Sequence, residues 1–216
     1  MPDICGCITT VADLDKAIAV AGQVALYEVR IDLIGTEWRS IVGELPRPWI
    51  ACHRSPSEGG QGSTDVSERL ASLEEAVAVG AAFIDVEVAM PDVRHRARQV
   101  ARNARLILSY HDFEGTPDAQ ALSDIVAREV QCGADICKLV TTCTSVDDNV
   151  RLLQLYRGVR QSELVAFGMG PMGALSRVLA PLHGASFTYA SLADGHESAP
   201  GQLTVGHLVA FYEGLG

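Results

Sequence analysis

Lysine is scarce in this sequence: Lys16 and Lys138 stand against fifteen arginines. A function that needs an amine able to shed its proton must draw on one of those two, because a guanidinium stays protonated. Positive charge as a whole is in deficit. Seventeen Lys and Arg face twenty-seven Asp and Glu, giving a net charge of -10 and a pI near 5.0. That balance excludes a nucleic-acid surface, which needs a basic stripe. No stretch is long enough and free enough of charge to span a bilayer. The start, Met1-Pro2-Asp3-Ile4, lacks a basic region followed by an apolar one. It does not read as a signal peptide, and the expected location is cytoplasmic.

Metal and cofactor signatures are lacking too. The six cysteines, Cys5, Cys7, Cys52, Cys132, Cys137 and Cys143, form no C-x-x-C pair. Most lie in apolar runs, where cysteine behaves as a small hydrophobe. Cys52 and His53 are neighbours on a strand-like run and so point to opposite faces. No metal site is expected. A P-loop is absent. The run from Gly168 to Gly173 matches G-x-G-x-x-G, but it falls late in the chain and holds Pro171. No cofactor is expected from it.

What is present is an even alternation. With 48% apolar and 20% charged residues, the chain can bury a sizeable core. Strand-like runs occupy residues 4–10, 26–33, 49–54, 83–88, 106–111, 134–142, 164–168 and 186–192. Helical spacing fills the intervals at 11–23, 66–79, 91–103, 116–132, 145–160, 172–182 and 204–214, with a short helix at most over 36–43. Asp65, Ser145 and Thr204 read as helix caps, and Gly80 and Gly133 as stops. Strands alternating with helices imply crossovers and a parallel sheet. Eight such units without a composition break predict one (β/α)₈ barrel domain over residues 1–216. A doubly wound open sheet is the alternative.

Lys138 lies inside the apolar run 134–142. Burial penalises its charged form, so the reading is a lowered pKa and a neutral amine. Such an amine is the nucleophile of Schiff-base chemistry. In a barrel, chemistry gathers at the C-terminal ends of the strands. Glu28, Arg30 and Asp32 share one face of their run, and so do Asp85 and Glu87. Asp85 and Glu87 read as groups that orient basic neighbours. Arg54 ends the third run, with Glu58 in the loop beyond it. His111 ends the fifth. Arg177 follows the seventh, and Ser198 and Gln202 lie beyond the eighth. An imine on Lys138 is an electron sink for loss of an adjacent proton, and His111 can take that proton. Arginines suit a carboxylate on the substrate. Together they predict proton abstraction next to the carbonyl of a small anionic hydroxy-ketone. A Schiff-base aldolase and a barrel that only binds a metabolite share parts of this pattern.

The motifs resemble a known family. Glu28-Val-Arg30-Ile-Asp32, Arg54-Ser-Pro-Ser-Glu58-Gly-Gly, Ser109-Tyr-His111-Asp-Phe, Lys138, Leu175-Ser-Arg177 and Ser198-Ala-Pro-Gly-Gln202 are similar to the signature segments of type I 3-dehydroquinate dehydratases. The resemblance covers essentially the whole chain. It implies syn elimination of water from 3-dehydroquinate to 3-dehydroshikimate in the shikimate pathway, without metal or cofactor. It further implies Lys138 as the imine-forming residue, His111 as general acid and base, and Glu58 in the catalytic set. Glu28 and Arg30 would hold substrate hydroxyls, Arg54 would line the site, and Arg177 would grip the carboxylate. Ser198 and Gln202 would sit on a closing loop. A homodimer is the implied assembly.

Overall fold

A strand and a return helix repeat around a nearly closed wall. The computed structural model describes residues 1–158 and 162–215. Its strands are β1 (Ile4–Ile8), β2 (Leu26–Arg30), β3 (Trp49–Cys52), β4 (Phe83–Glu87), β5 (Arg105–Asp112), β6 (Ile136–Thr142), β7 (Glu163–Met169) and β8 (Thr188–Ser191). The helices are α1 (Leu14–Ala19), α2 (Ile31–Ile34), α3 (Arg39–Val42), α4 (Val66–Ala78), α5 (Val93–Ala101), α6 (Ala119–Gln131), α7 (Val146–Gln154), α8 (Ala174–Leu179) and α9 (Val205–Glu213). Strand order is β7-β6-β5-β4-β3-β2-β1-β8, and the pairings are parallel. The Ser186 N–H donates to the Leu164 carbonyl at 3.1 Å and links the two outermost strands. This is the (β/α)₈ barrel expected from the alternation. Its strands read as near-continuous apolar runs because helices cover one face and the lumen the other.

Two cores result. Ile4, Ile8, Val29, Ala51, Ile84, Leu106 and Leu108 face the helices and are buried. Their neighbours, offset by one residue, point into the lumen. There the layer nearer the strand starts is apolar: Leu26, Ile50, Ile107, Ile136, Val165 and Phe187. One step along, the inward positions turn polar with Glu28, Asp85, Ser109 and Lys138. The lumen is thus plugged below and charged above, and chemistry is confined to the C-terminal rim.

Local signals acted as their chemistry dictates. The Asp65 carboxylate accepts the Ser67 N–H at 2.7 Å, and Thr204 Oγ1 accepts that of His207 at 3.1 Å. Ser145 and Asp148 form a reciprocal capping box at the start of α7. Some bounds differ from the sequence reading. β2 stops at Arg30, and Asp32 lies on the first turn of α2 rather than on the strand face. The cause is a fork: Arg30 donates to both Asp32 oxygens, at 2.9 and 2.7 Å, and draws the chain into a turn. Helix α1 ends at Ala19 and is preceded by a 3-10 turn over Val11–Asp13, so of the pattern over 11–23 only the end beyond Ala19 is non-helical. Helix α5 begins at Val93 because Asp92 takes a left-handed φ of 59°. The expected end of the helix near Arg160 lies outside the described residues.

The late glycine run serves packing. A Cβ on Gly168 would meet Cys143 Sγ at 2.3 Å, and one on Gly201 would meet the Gly170 carbonyl at 2.3 Å. The Gly170 N–H donates to the Pro200 carbonyl at 3.0 Å. The turn after β7 therefore docks the loop after β8 and spends its amide there. No described helix is long and apolar enough to cross a membrane.

Candidate active site

Lys138 crosses the lumen from β6. Its Nζ lies 2.8 Å from Asp85 Oδ2 on β4 and 3.2 Å from Glu28 Oε1 on β2. It also sits 4.4 Å above the centre of the Tyr189 ring. Burial alone would push the amine toward neutrality, as the sequence reading expected. The structure corrects that expectation. Asp85, then Glu28, outweigh desolvation and raise the Lys138 pKa above its ordinary value. The two carboxylates thus hold the amine in its ammonium form. The sequence signal was burial, and the two carboxylates come from strands far away in the chain.

Asp85 is the hub of this layer. Arg54 Nη2 lies 2.7 Å from its Oδ2, and Ser109 Oγ donates to its Oδ1 at 2.6 Å. Arg54 Nη1 in turn donates to Ser109 Oγ at 2.6 Å. Burial opposes a charge on Asp85, but Arg54 and Lys138 carry its pKa well below the carboxylate range. Glu87, its partner on β4, accepts the Ser55 N–H at 2.7 Å and pairs with Arg69 at 3.1 Å. Both carboxylates orient basic groups and the loop after β3. That loop wraps on glycine: a Cβ on Gly60 would lie 2.1 Å from the Arg54 carbonyl. Gly59 turns the chain at φ 80°.

The turn delivers Glu58 to His111. Glu58 Oε2 and His111 Nδ1 are 2.8 Å apart, and both groups are nearly covered. Burial drives the Glu58 carboxyl up to about 8, against the pull of Arg54. Burial, then Arg54 and Lys138, hold His111 well below the usual imidazole value. The two form a coupled pair that titrates as a unit. Its extra proton sits on the Glu58 side and can pass along the hydrogen bond.

Arg177 is the unusual member. It is 1% exposed, and its Nε and Nη2 have no hydrogen-bond partner among the described residues. Its guanidinium stacks 4.2 Å from the Phe167 ring, and burial lowers its pKa to about 10. A buried cation without an anion signals a missing carboxylate or phosphate. Arg30 lines the same space with its fork held by Asp32. The loop after β8 reaches in from above. Gln202 Nε2 donates to Cys7 Sγ at 3.1 Å, while Ser198 donates its N–H and Oγ–H to Gln202 Oε1 at 2.7 and 3.1 Å.

These groups enclose one cavity of about 170 Å³. Each of the sequence-derived candidates lines it: Glu28, Arg30, Arg54, Glu58, His111, Lys138, Arg177, Ser198 and Gln202. Other contributors were given no role in the sequence reading. Ser109 bridges Arg54 and Asp85, Tyr189 lies under Lys138, and Phe113 covers Gly59. Inward alternation along β5 and β8 points to Ser109 and Tyr189. Glu28, Cys52 and Asp85 bring ligand atoms within 4.8 Å of one another. The Lys138 ammonium and Arg54 already meet both carboxylates, so this set does not suit a divalent cation.

Comparison with known proteins agrees with this layout. The family described as Type I 3-dehydroquinase matches residues 4–216. A protein of Dehalococcoides mccartyi named 3-dehydroquinate dehydratase is 37% identical over 214 residues, covering 99% of this chain and 96% of its own length. One of Desulfotalea psychrophila with the same name is 40% identical over 202 residues, covering 90% and 88%. The crystal structure of 3-dehydroquinate dehydratase from Geobacillus kaustophilus superposes with a TM-score of 0.87 at 25% identity, covering 100% of this chain and 91% of its own.

Proposed function

The chain belongs to the type I 3-dehydroquinase family, and from that premise we propose that it dehydrates 3-dehydroquinate to 3-dehydroshikimate through an imine on Lys138. One observation carries this reading. The lumen's amine and an unpartnered, buried guanidinium on Arg177 line the same small cavity. A ketone with a carboxylate on the same ring satisfies both.

The substrate carboxylate docks on Arg177 Nε and Nη2 and supplies the missing anion. Glu28 and Arg30 hold ring hydroxyls. Lys138 gives up a proton before it attacks, and neutral His111 is the acceptor nearest in chemistry. The amine adds to the ketone, and the His111–Glu58 pair returns that proton to the carbinolamine hydroxyl, which leaves as water; a protonated imine and a free base remain. That cation takes the electron pair released when the His111–Glu58 pair removes the adjacent proton. The resulting enamine expels the β-hydroxyl, which leaves as water with the proton that the pair returns. Hydrolysis of the imine restores the Lys138 amine. Water is lost overall, and no redox change occurs. Asp85 and Arg54 stay charged throughout and hold the amine in line.

Lysine is needed because only an amine forms the imine. Incubation with 3-dehydroquinate and borohydride should fix a reduced adduct on Lys138 and leave Lys16 unlabelled. Lys138→Arg should give no adduct and no turnover. A label elsewhere, or active enzyme with none, defeats the reading. The single (β/α)₈ domain, a homodimeric assembly and a cytoplasmic setting belong to the same proposal.

A further inference from the structure

The loop over residues 193–202 carries Ser198 and Gln202 to the cavity, yet it has few apolar anchors. A contact at its outer end lies away from the reacting groups. His196 Nδ1 sits 2.9 Å from Asp13 Oδ1. The Asp13 side chain is fully covered and the His196 ring 34% exposed. We propose that His196 is a positioning residue that latches this loop to Asp13, and so sets how often Ser198 and Gln202 stand over the cavity.

The site is built for it on the Asp13 side. Thr9 N–H, Thr9 Oγ–H and Thr10 N–H all donate to Asp13 Oδ2, at 3.0, 3.1 and 3.0 Å. Burial opposes charge on this carboxyl, but the Thr9 and Thr10 amides hold its pKa below the usual value. The carboxylate is therefore rigid before His196 arrives, and the contact need order one side chain only.

The same device occurs elsewhere in the barrel without the latch. At the start of α7, Thr144 N–H, Thr144 Oγ–H and Ser145 N–H donate to Asp148 Oδ2. There the other oxygen, Oδ1, is taken by Arg151 of the same helix. At Asp13 the matching cation is Lys16, whose Nζ stands off at 3.4 Å. The shorter hold on Oδ1 comes from His196 instead. Two capping boxes of one design thus differ in what meets the free oxygen, and the odd partner comes from the loop over the cavity.

This inference rests on the reading that the cavity binds the substrate. It does not need the imine. A loop open part of the time weakens apparent binding by the fraction closed. Loss of this contact should raise KM about three- to tenfold. The chemical step, once the substrate is covered, should keep its rate.

The test uses the full chain with His196→Ala and, as a control, Lys16→Ala. Hydrogen exchange over residues 193–202 without substrate should speed up in His196→Ala and not in Lys16→Ala. The KM of His196→Ala should rise while kcat stays within about twofold and borohydride still labels Lys138. Unchanged exchange and KM would overturn the latch. So would a fall in kcat with exchange unaltered, since His196 would then act on the reaction itself. Failure of the wild-type chain to form any adduct would strike the proposed reaction. The exchange arm would still decide the latch.

Discussion

Arg177→Met should make the protein more stable and nearly useless. The wild-type guanidinium is 1% exposed, and its Nε and Nη2 have no partner among the described residues. Burial lowers its pKa to about 10. A shift of that size corresponds to about 3 kcal/mol lost by keeping the charge in this buried place. The sign is clear. The folded state binds this proton less tightly than the unfolded chain does. The penalty is present in full at every pH below about 10 and is relieved only as pH rises beyond it. Methionine keeps the length of the side chain and removes the charge. It also removes the stacking on Phe167 at 4.2 Å, worth roughly 0.5–2 kcal/mol. The net expectation is a gain of about 1–2 kcal/mol in unfolding free energy. Urea titration should show a higher midpoint with an unchanged slope. Thermal unfolding should shift up by about 2–8 °C for a chain of this length. Meanwhile kcat/KM for 3-dehydroquinate should fall by about 10²-fold or more, because the substrate carboxylate would lose the cavity-lining guanidinium that has no carboxylate partner among the described residues. A variant that is less stable by more than about 1 kcal/mol, with substrate affinity intact, refutes the reasoning. Arg177 would then be a structural residue whose partner was overlooked.

His111→Ala should still yield the borohydride adduct on Lys138 but turn over about 10²–10⁴ times more slowly; wild-type kcat would move the proton transfers to another group. In the wild type, kcat/KM should climb with pH and level off near the Glu58 value of about 8, since the free pair must be deprotonated to act as base. Glu58→Gln should remove that limb, so a profile identical to wild type separates Glu58 from the pair. Gln202→Ala breaks the link to Cys7 and to Ser198; steady-state kinetics should show a raised KM and lower kcat/KM with imine formation retained, and an unchanged KM takes Gln202 out of the site.

The fold was legible because its determinants are local. Alternating runs, caps at Asp65, Ser145 and Thr204, and a glycine stop at Gly133 act within a few residues of themselves. The membership of the site was legible for a related reason. A parallel barrel sends each strand's last inward residue to one rim, so a list of polar strand ends is nearly a list of cavity walls. What the sequence hid is who meets whom across the lumen. Asp32 reads as the third step of an inward ladder with Glu28 and Arg30. Instead its carboxylate takes the Arg30 fork and ends the strand. Glu28, released from that ladder, turns to Lys138, 110 positions away in the chain. That pairing, with Asp85, reverses the charge state expected for the amine. Burial is written in the run around Lys138 and argues for neutrality, while compensation is written in two other strands and argues the opposite. Charge in a closed barrel is a property of the ring of strands, and no single strand carries it. On the proposed imine route the Lys138 ammonium must first lose a proton, and the neutral imidazole of His111 is the proposed acceptor. Arg54 and Lys138, with burial, keep His111 neutral. On that proposal the cations that crowd the rim would hold the base neutral as well as grip an anion.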